Sequence, residues 1–358
     1  MKNLLREHFE RYPKMQIQDM VKLIYQNEFA GGHFIPDKEY SLRKLKEEYS
    51  NLCSSASFIY NNGLFESISN NLYRLHLYPL INETIMLETV NGFFVNTANN
   101  IMGSMESFLN KLFIFSEMCR NNEFYFPIGE VEAYLVEYKK QGYPAVSHSD
   151  VYRKEYSPSY RIVQKEYRDY FKLFCAIDGL LKNKESITVA IDGNCAAGKT
   201  SLANLISQVY DCNVFHMDDY FLTPELRTEE RLNEPGGNVD YMRFKNEVIA
   251  GIKSNKDFKY QKFNCGKMEL TDWVYITPKR LNIVEGSYSM HPVLADHYDL
   301  TVFLSISAKM QSERILKRNR AKMYKSFTEL WIPLENKYLE YYKIQEKCDL
   351  HFSAGFES

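Results

Sequence analysis

The sequence lacks several features that would each indicate a particular class of protein. Its seven cysteines are widely spaced, odd in number and free of any C-x-x-C pair. That pattern excludes a disulfide framework and a paired-cysteine zinc site, and it indicates reduced thiols. No apolar run approaches the ~18 residues needed to cross a membrane, so we expect no membrane partner. The opening MKNLLREHFERYPKM has scattered charges and lacks the apolar segment of a secretory signal, which predicts a cytoplasmic protein.

An excess of positive charge is also missing. Residues 1–185 hold 22 Lys and Arg against 23 Asp and Glu, and residues 186–358 hold the same numbers. A protein that binds nucleic acid normally carries a lopsided basic surface, so we expect no nucleic-acid partner. A chain of 358 residues with 45% hydrophobic residues has enough core material for two domains.

The two halves of the chain differ in how their apolar residues are spaced. In the first half, helical periodicity predicts helices over 17–29, 37–49, 99–119 and 158–181, and GFFVN (92–96) is an extended candidate. After the polar KNKES (182–186), the predicted strands are 187–192, 213–217, 281–286, 300–305 and 349–353. Predicted helices lie between them, over 199–209, 240–253, 308–320 and 327–343. This alternation predicts an α/β fold with a parallel sheet covered by helices on both faces. We therefore place a mostly α-helical domain at 1–181 and the α/β domain at 187–358.

A phosphate-binding loop follows the first strand of the second half. The stretch GNCAAGKTS satisfies G-x-x-x-x-G-K-[ST] and consists of Gly193, Asn194, Cys195, Ala196, Ala197, Gly198, Lys199, Thr200 and Ser201. The glycines let backbone N–H groups point into a nest of phosphate size, Lys199 adds a positive charge, and the Thr200 hydroxyl can bind Mg²⁺. The helix that begins here offers its N-terminal dipole to the same anion. The loop therefore predicts binding of ATP and Mg²⁺.

Three further motifs follow the loop in the same half of the chain. They are HMDDYF (216–221), NVDYMRF (238–244) and IVEGSYSM (283–290), and an arginine-bearing helix, QSERILKRNR (311–320), comes after them. With the loop, they resemble the uridine kinase and phosphoribulokinase family of P-loop kinases over about residues 187–353. The resemblance implies a P-loop kinase fold and an enzyme that uses ATP and Mg²⁺ to phosphorylate a hydroxyl of a small metabolite. It makes a nucleoside the expected acceptor.

The resemblance also implies which groups carry out the transfer. Asp218 is expected to act as general base on the acceptor hydroxyl and to help hold the metal, with Lys199 on the phosphates. Thr200 and Glu285, which ends an apolar strand, are the other expected metal-binding residues. Asp219, adjacent to Asp218, is a weaker candidate because it stands where the family more often has a small polar residue.

Other positions are expected to contact the acceptor or the transferring group. Arg314 and Arg318 are four residues apart, hence on one helix face, and the resemblance implies that they clamp the phosphoryl group. Asp240 is expected to hold acceptor hydroxyls, although it could also simply cap a helix. Tyr220 and Phe221 are expected beside the acceptor.

The sequence departs from the uridine kinase pattern where the base would be recognised. That family places a Tyr shortly after the catalytic Asp and a His after the third strand, whereas this chain has Phe221 and the neighbourhood of Asn264 and Cys265. The acceptor could therefore be another small alcohol or a sugar phosphate. A second alternative for the function is a nucleotide-dependent switch or ATPase that drives the helical domain. The sequence is also compatible with a homo-oligomer.

The first half carries no motif of comparable strength. EFAGGHF (28–34) places a glycine pair before His33, and PAVSHSDVYRKEYSPSYR (144–161) combines charged and imidazole side chains with tyrosines. Its candidate site residues are His148, Asp150, Arg153 and Arg161. The second segment could form a polar site for a small anion or nucleotide, or a capped loop between helices, and we favour the loop.

Overall fold

The structure, a computed structural model, describes residues 1–31, 34–54, 63–318 and 321–355. His33 lies outside these residues. The chain divides into two compact units, Met1–Lys172 and Leu173–Ser358. Across the described ranges, no helix is both long enough and apolar enough to cross a lipid bilayer.

Helices surround a small antiparallel sheet in the first unit. The helices are α1 (Lys2–Arg11), α2 (Ile17–Phe29), α3 (Lys38–Ser54), α4 (Leu87–Asn100), α5 (Met105–Arg120), α6 (Ile128–Lys140), α7 (Asp150–Tyr156) and α8 (Lys165–Asp169). The strands β1 (Phe65–Ser67), β2 (Leu72–His76) and β3 (Tyr160–Gln164) form a sheet in the order β1-β2-β3. Apolar side chains of α1, α2, α5, α6 and α7 pack into one core cluster. The predicted helical character of this half is confirmed.

Two local predictions for the first unit were wrong. GFFVN (92–96) lies inside helix α4 and not in a strand, because a short apolar run that is buried looks alike in either structure. Residues 160–164, predicted as helix, form β3 and pair with β2, about 90 positions earlier in the chain. Pairing across such a distance leaves little trace in the local sequence, since strand preference depends on the neighbours that a strand meets.

A buried network of charged and polar groups lies behind the sheet of the first unit. The fully buried Arg74 guanidinium donates to Glu66 Oε2 at 3.0 Å and to Gln26 Oε1 at 2.8 Å. The Tyr12 hydroxyl donates to Glu66 Oε1 at 2.8 Å. Burial tends to raise the pKa of Glu66, but the positive charge of Arg74, together with His76 and His8, outweighs burial and holds that pKa well below its usual range. Because removing one partner would leave a buried charge unpaired, the pair makes this unit sensitive to changes at either position.

The segment 144–161 contains a capped helix, α7 (Asp150–Tyr156), where we had favoured a loop between helices. Ser149 caps α7 by accepting from the backbone N–H of Tyr152 at 3.1 Å. The buried carboxylate of Asp19 accepts from the Ser149 hydroxyl at 2.6 Å and lies 3.0 Å from Nδ1 of His148. Arg161 pairs with Glu48 at 2.8 Å. The side chains of His148, Ser149 and Arg161 therefore have structural partners.

We expect the first unit to lose stability in mild acid before the second unit does. Burial lowers the pKa of His8 and of His148 from 6.5 to about 4. Between these values, the two histidines are protonated in the unfolded chain but neutral in the folded unit. Stability is therefore lost as the pH falls from about 6.5 towards 4, by about 2 kcal/mol per histidine at pH 5. In the second unit, the lowered pKa of His291 also costs stability as the pH falls. The raised pKa values of Asp192 and His216 have the opposite effect, because these groups bind protons more readily in the folded state.

Hydrogen exchange read by mass spectrometry at pH 7 and pH 5, corrected for the intrinsic rate, measures this difference. Peptides from α1, α2 and β2 should lose protection at pH 5, while those from the sheet of the second unit keep it. Parallel loss in both units, or earlier loss in the second, would contradict the expectation.

A five-stranded parallel sheet organises the second unit. Its strands are β4 (Ile187–Gly193), β5 (Cys212–His216), β8 (Leu281–Glu285), β9 (Leu300–Ser305) and β10 (Leu350–Ser353), in the order β10-β9-β4-β8-β5. Each neighbouring pair is parallel. The helices of this unit are α9 (Phe171–Asn183), α10 (Lys199–Ser207), α11 (Glu229–Asn233), α12 (Tyr241–Phe244), α13 (Ala250–Ser254), α14 (Pro292–Ala295), α15 (Ala308–Arg318), α16 (Ala321–Ser326), α17 (Ile332–Tyr341) and α18 (Ile344–Lys347). This arrangement confirms the predicted P-loop kinase fold class, with the loop directly after the central strand β4.

The second unit also contains a hairpin that the sequence did not predict. Strands β6 (Phe258–Asn264) and β7 (Glu269–Ile276) pair antiparallel as a separate two-stranded sheet. Asn264 Oδ1 accepts from the backbone N–H groups of Gly266 and Lys267 at 2.9 and 3.0 Å, which closes the turn. Cys265 and its neighbours therefore form a tight turn between β6 and β7.

Helix α9 packs with the second unit, which bears on where the chain can be cut. The Tyr210 hydroxyl donates to Asp178 Oδ1 at 2.8 Å, its ring stacks on Phe174, and Arg280 donates to the carbonyl of Leu181 at 2.6 Å. Asp178 and Phe174 are fully buried. A fragment that begins at residue 183 would expose the surface these contacts cover.

We therefore expect a fragment of residues 171–358 to be soluble and to bind ATP, and a fragment of residues 183–358 to be much less stable. Thermal unfolding and nucleotide titration of both fragments test this. Equal stability of the two would mean that α9 is dispensable and would favour a boundary at 182–186.

Candidate active site

The phosphate-binding loop leaves β4 through a backbone that only glycine can follow. Gly193 has φ +134°, and a Cβ atom there would lie 2.0 Å from the carbonyl oxygen of Leu304 on β9. Gly198 has φ +105° and stands at the N-cap of α10. Both positions lie in the left-handed region, which explains why the two glycines of the motif are needed.

The other loop residues complete the turn between strand and helix. The backbone N–H of Asn194 donates to the Leu304 carbonyl at 3.0 Å, and that of Ala197 donates to the Asn194 carbonyl at 3.1 Å. Ala196 adopts φ +61°. Thr200 and Ser201 lie in the first turn of α10.

Lys199 is folded back onto the loop. Its side chain is buried, and Nζ donates to the carbonyls of Gly193 at 2.7 Å and Asn194 at 3.1 Å and to the Ser287 hydroxyl at 3.1 Å. An ammonium has three protons to donate, and all three have acceptors here. In this structure the ammonium of Lys199 is thus fully bonded to the loop and to Ser287.

Three oxygen-bearing side chains gather beside the loop at the carboxyl ends of β5 and β8. The Thr200 hydroxyl donates to Glu285 Oε1 at 3.1 Å, and burial together with the charge of Glu285 raises the pKa of Asp218. Mg²⁺ prefers oxygen ligands and commonly uses one or two carboxylates together with substrate phosphates. Thr200, Asp218 and Glu285 therefore fit a Mg²⁺ ion, whose charge would relieve the repulsion between the carboxylates. Within the described part of the chain, no group of three or more His, Cys, Asp or Glu side chains could hold a metal alone.

His216 is a neighbour of this group that the sequence did not single out. It ends β5, and its Nδ1 lies 2.5 Å from Glu285 Oε1. The hydrogen bond to Glu285 raises the pKa of His216. Glu285 Oε1 thus contacts both Thr200 and His216, which fixes the orientation of the carboxylate.

Asp218 and Asp219 occupy different surroundings. They lie in a 3₁₀ turn, Met217–Tyr220, and not in an extended segment. Asp218 is exposed, although burial of its carboxyl by nearby protein atoms and the charge of Glu285 raise its pKa. Asp219 Oδ2 lies 3.3 Å from Lys262 Nζ, and its carbonyl accepts from Arg243 at 3.0 Å. Asp219 is therefore paired with protein groups, whereas Asp218 is exposed.

Two predicted acceptor contacts have structural partners instead. Asp240 caps α12 by accepting from the backbone N–H of Arg243 at 3.0 Å, the alternative role that its position allowed. Tyr220 is fully buried, its hydroxyl donates to Glu247 at 3.1 Å, and Arg243 lies 4.0 Å from the centre of its ring. Tyr220 is thus a core residue, and we no longer expect it to contact a substrate. The local sequence cannot distinguish a buried from an exposed Tyr in such a turn.

Phe221 is half-buried, and its ring lies 5.8 Å from that of Trp331. This aromatic pair stands immediately after the turn that carries Asp218. Asn264, considered above for base recognition, serves the hairpin turn. Cys265 follows it, and burial and the charge of Asp218 raise the pKa of its thiol.

Helix α15 contacts the loop through the predicted arginine and one further residue. Arg314 donates to the carbonyl of Ala196 at 3.0 Å, and Gln311 donates to the carbonyl of Cys195 at 3.0 Å. Arg318, one turn after Arg314, lies 5.7 Å from the ring centre of Phe327. Its positive charge also acts on the thiol of Cys195. The helix therefore places positive charge beside the phosphate-binding loop.

Residues far from the loop in sequence form hydrogen bonds to the loop and to Asp192, which precedes it. Asp192, fully buried at the end of β4, accepts from the backbone N–H of Met290 at 2.9 Å and from the Tyr338 hydroxyl at 2.8 Å. Burial raises the pKa of Asp192 to about 6. Glu335, one turn before Tyr338 on α17, reaches the loop itself through the backbone N–H of Cys195. No sequence motif marks these contacts, because the partners are more than 90 positions apart.

Comparisons with solved structures give matches that cover about half of the chain. No family model and no curated protein matches the sequence. Among solved structures, the chain is similar to a possible uridine kinase from Bacillus stearothermophilus, with 21% identity, TM-score 0.40, and coverage of 52% of this chain and 99% of that one. It is also similar to phosphoribulokinase from Rhodobacter spheroides, with 11% identity, TM-score 0.35, and coverage of 47% and 70%. A third similar structure is shikimate kinase from Bacteroides thetaiotaomicron, with 15% identity, TM-score 0.28, and coverage of 48% of this chain and 89% of that one.

Proposed function

We propose that the second unit is a small-molecule kinase that transfers the γ-phosphoryl group of ATP to a hydroxyl, with a nucleoside as acceptor. One observation carries the proposal: an accessible carboxylate, Asp218, lies beside the phosphate-binding loop and next to Glu285. A nucleotide switch needs a residue that positions water, whereas a kinase needs a base for an acceptor hydroxyl. Asp218 has the surroundings of such a base.

The transfer would use side chains that already lie together. Lys199 and the loop N–H groups would hold the β- and γ-phosphates. Mg²⁺, when bound by Thr200, Asp218 and Glu285, would neutralise charge on the phosphate oxygens. Asp218 would take the proton from the acceptor hydroxyl as its oxygen forms a bond to the γ-phosphorus. The bond from that phosphorus to the bridging oxygen would break, and ADP would leave.

Two features near this centre support the assignment. Arg314 already contacts the loop and Arg318 lies one turn further along the same helix, so both can offset the charge of the transferring group. Phe221 and Trp331 form an aromatic pair next to the turn that holds Asp218. A flat base could stack on such a surface, which is why we choose a nucleoside over a sugar phosphate.

A panel of acceptors tests the proposal directly. ADP release is measured with ATP or GTP as donor, in the presence of each nucleoside, of pantothenate-like alcohols and of sugar phosphates. Lys199→Ala protein reports any contaminating kinase. We expect release that depends on one class of acceptor, together with a phosphorylated product detected by mass spectrometry.

Two other results would change the assignment. Transfer to a sugar phosphate alone would keep the kinase and remove the nucleoside. Nucleotide hydrolysis that no acceptor alters would refute the kinase and favour a switch or ATPase that acts on the helical unit.

A further inference from the structure

A carboxylate from outside the loop sits on the phosphate-binding loop. Glu335, on α17, is 3% exposed, and its Oε2 accepts from the backbone N–H of Cys195 at 2.7 Å. Its Oε1 accepts from the Ser287 hydroxyl and lies 3.8 Å from Nζ of Lys199. One side chain therefore contacts a loop N–H and, through Ser287, the loop lysine.

These partners are the groups that a phosphate-binding loop offers to a nucleotide. Backbone N–H groups and a lysine ammonium are complementary to phosphate oxygens, and a carboxylate presents two oxygens of the same charge sign. The Ser287 hydroxyl accepts from Lys199 and donates to Glu335, so the three side chains form one chain of hydrogen bonds. A carboxylate accepting from a backbone N–H makes a charge-assisted bond, roughly twice as strong as a neutral one.

We propose that Glu335 is an internal stand-in for phosphate, which the nucleotide must displace before Lys199 and the Cys195 N–H can bind it. This inference rests on the proposed function only in taking the ligand to be a nucleoside triphosphate. Glu335 then sets the affinity of the site, because its negative charge opposes the incoming phosphates and its hydrogen bonds must be broken. The loop remains ordered and its lysine neutralised while the nucleotide is absent.

The rest of α17 need not move when the carboxylate leaves. Tyr338, one turn later, is fully buried and bonded to Asp192 behind the loop. Rotation about the three side-chain bonds of Glu335 can withdraw its carboxylate while Tyr338 stays in place. Displacement is therefore a local step.

Substitution of Glu335 measures its effect on phosphate binding. Glu335→Gln keeps the shape and removes the charge, Glu335→Ala removes the group, and Glu340→Gln changes an exposed carboxylate on the same helix. Dissociation constants for ATP, ADP and inorganic tripolyphosphate are determined by isothermal titration calorimetry on the full chain, and thermal unfolding checks that each variant is folded. Removing a like charge about 4 Å from the binding groups should tighten binding about tenfold or more.

The expected result is tighter binding of all three ligands to both Glu335 variants, with wild-type affinity in Glu340→Gln. Unchanged or weaker binding in the folded Glu335 variants would overturn the inference and make Glu335 a structural support of the loop. The Ala variant decides the matter if the Gln variant does not fold. A failure of the proposed function looks different: phosphates would bind, yet no acceptor would be phosphorylated.

Discussion

Lys199→Ala should reduce ATP turnover by at least about 10²- to 10³-fold, the scale of removing one preorganised donor from a transition state. The ammonium is the positive charge of the phosphate-binding loop, and in this structure it is bonded to two loop carbonyls and Ser287. Alanine removes that charge without adding bulk to the loop. The main effect should therefore fall on phosphate binding and transfer, with the sheet behind the loop retained.

Lys309→Ala is the matched control, since Lys309 is an exposed lysine on α15 of the same unit. Steady-state ADP release and thermal unfolding are compared for wild type and both variants. Near wild-type turnover in a folded Lys199→Ala protein would remove the basis for assigning this loop to ATP phosphates.

Asp218→Asn should lower kcat by roughly 10²- to 10⁴-fold, the range for a positioned general base, while ATP affinity changes much less. The substitution keeps the shape of the side chain but removes the proton acceptor. Asp219→Asn should cost about tenfold or less, the scale of a lost polar contact. The structure gives a reason for this asymmetry, because Asp219 is paired with Lys262 and Asp218 is exposed.

Single-turnover phosphoryl transfer to the acceptor found by the panel separates the two variants. If Asp219→Asn is the inactive variant, the base has been assigned one residue too early. If neither substitution matters, the kinase proposal should give way to the switch.

The phosphate site could be predicted from sequence because its main parts are local. Strand, loop and helix follow one another between residues 187 and 207, and their glycines are needed for backbone reasons that act over a few residues. The strand ends that carry Asp218 and Glu285 could be predicted for the same reason, since apolar strands of a parallel sheet place their carboxyl ends at one edge.

The parts that the sequence did not reveal depend on contacts between distant residues. Glu335 reaches Cys195 across 140 positions, and Tyr338 reaches Asp192 across 146. The strand at 160–164 exists because β2 is available to pair with it, and the core position of Tyr220 depends on Arg243 and Glu247. Such contacts follow from how the elements pack, which periodicity alone does not determine.

The place of β4 in the centre of its sheet has a consequence for synthesis on the ribosome. Its two neighbours are β8 (Leu281–Glu285) and β9 (Leu300–Ser305), so both partners are made about 90 residues or more after β4 itself. At about 5–20 residues per second, this strand, whose residues are all buried in the finished fold, waits roughly 5–20 s for its first partner. The nascent second unit is therefore exposed to aggregation during that interval, while the first unit, contiguous through Lys172, can already be complete.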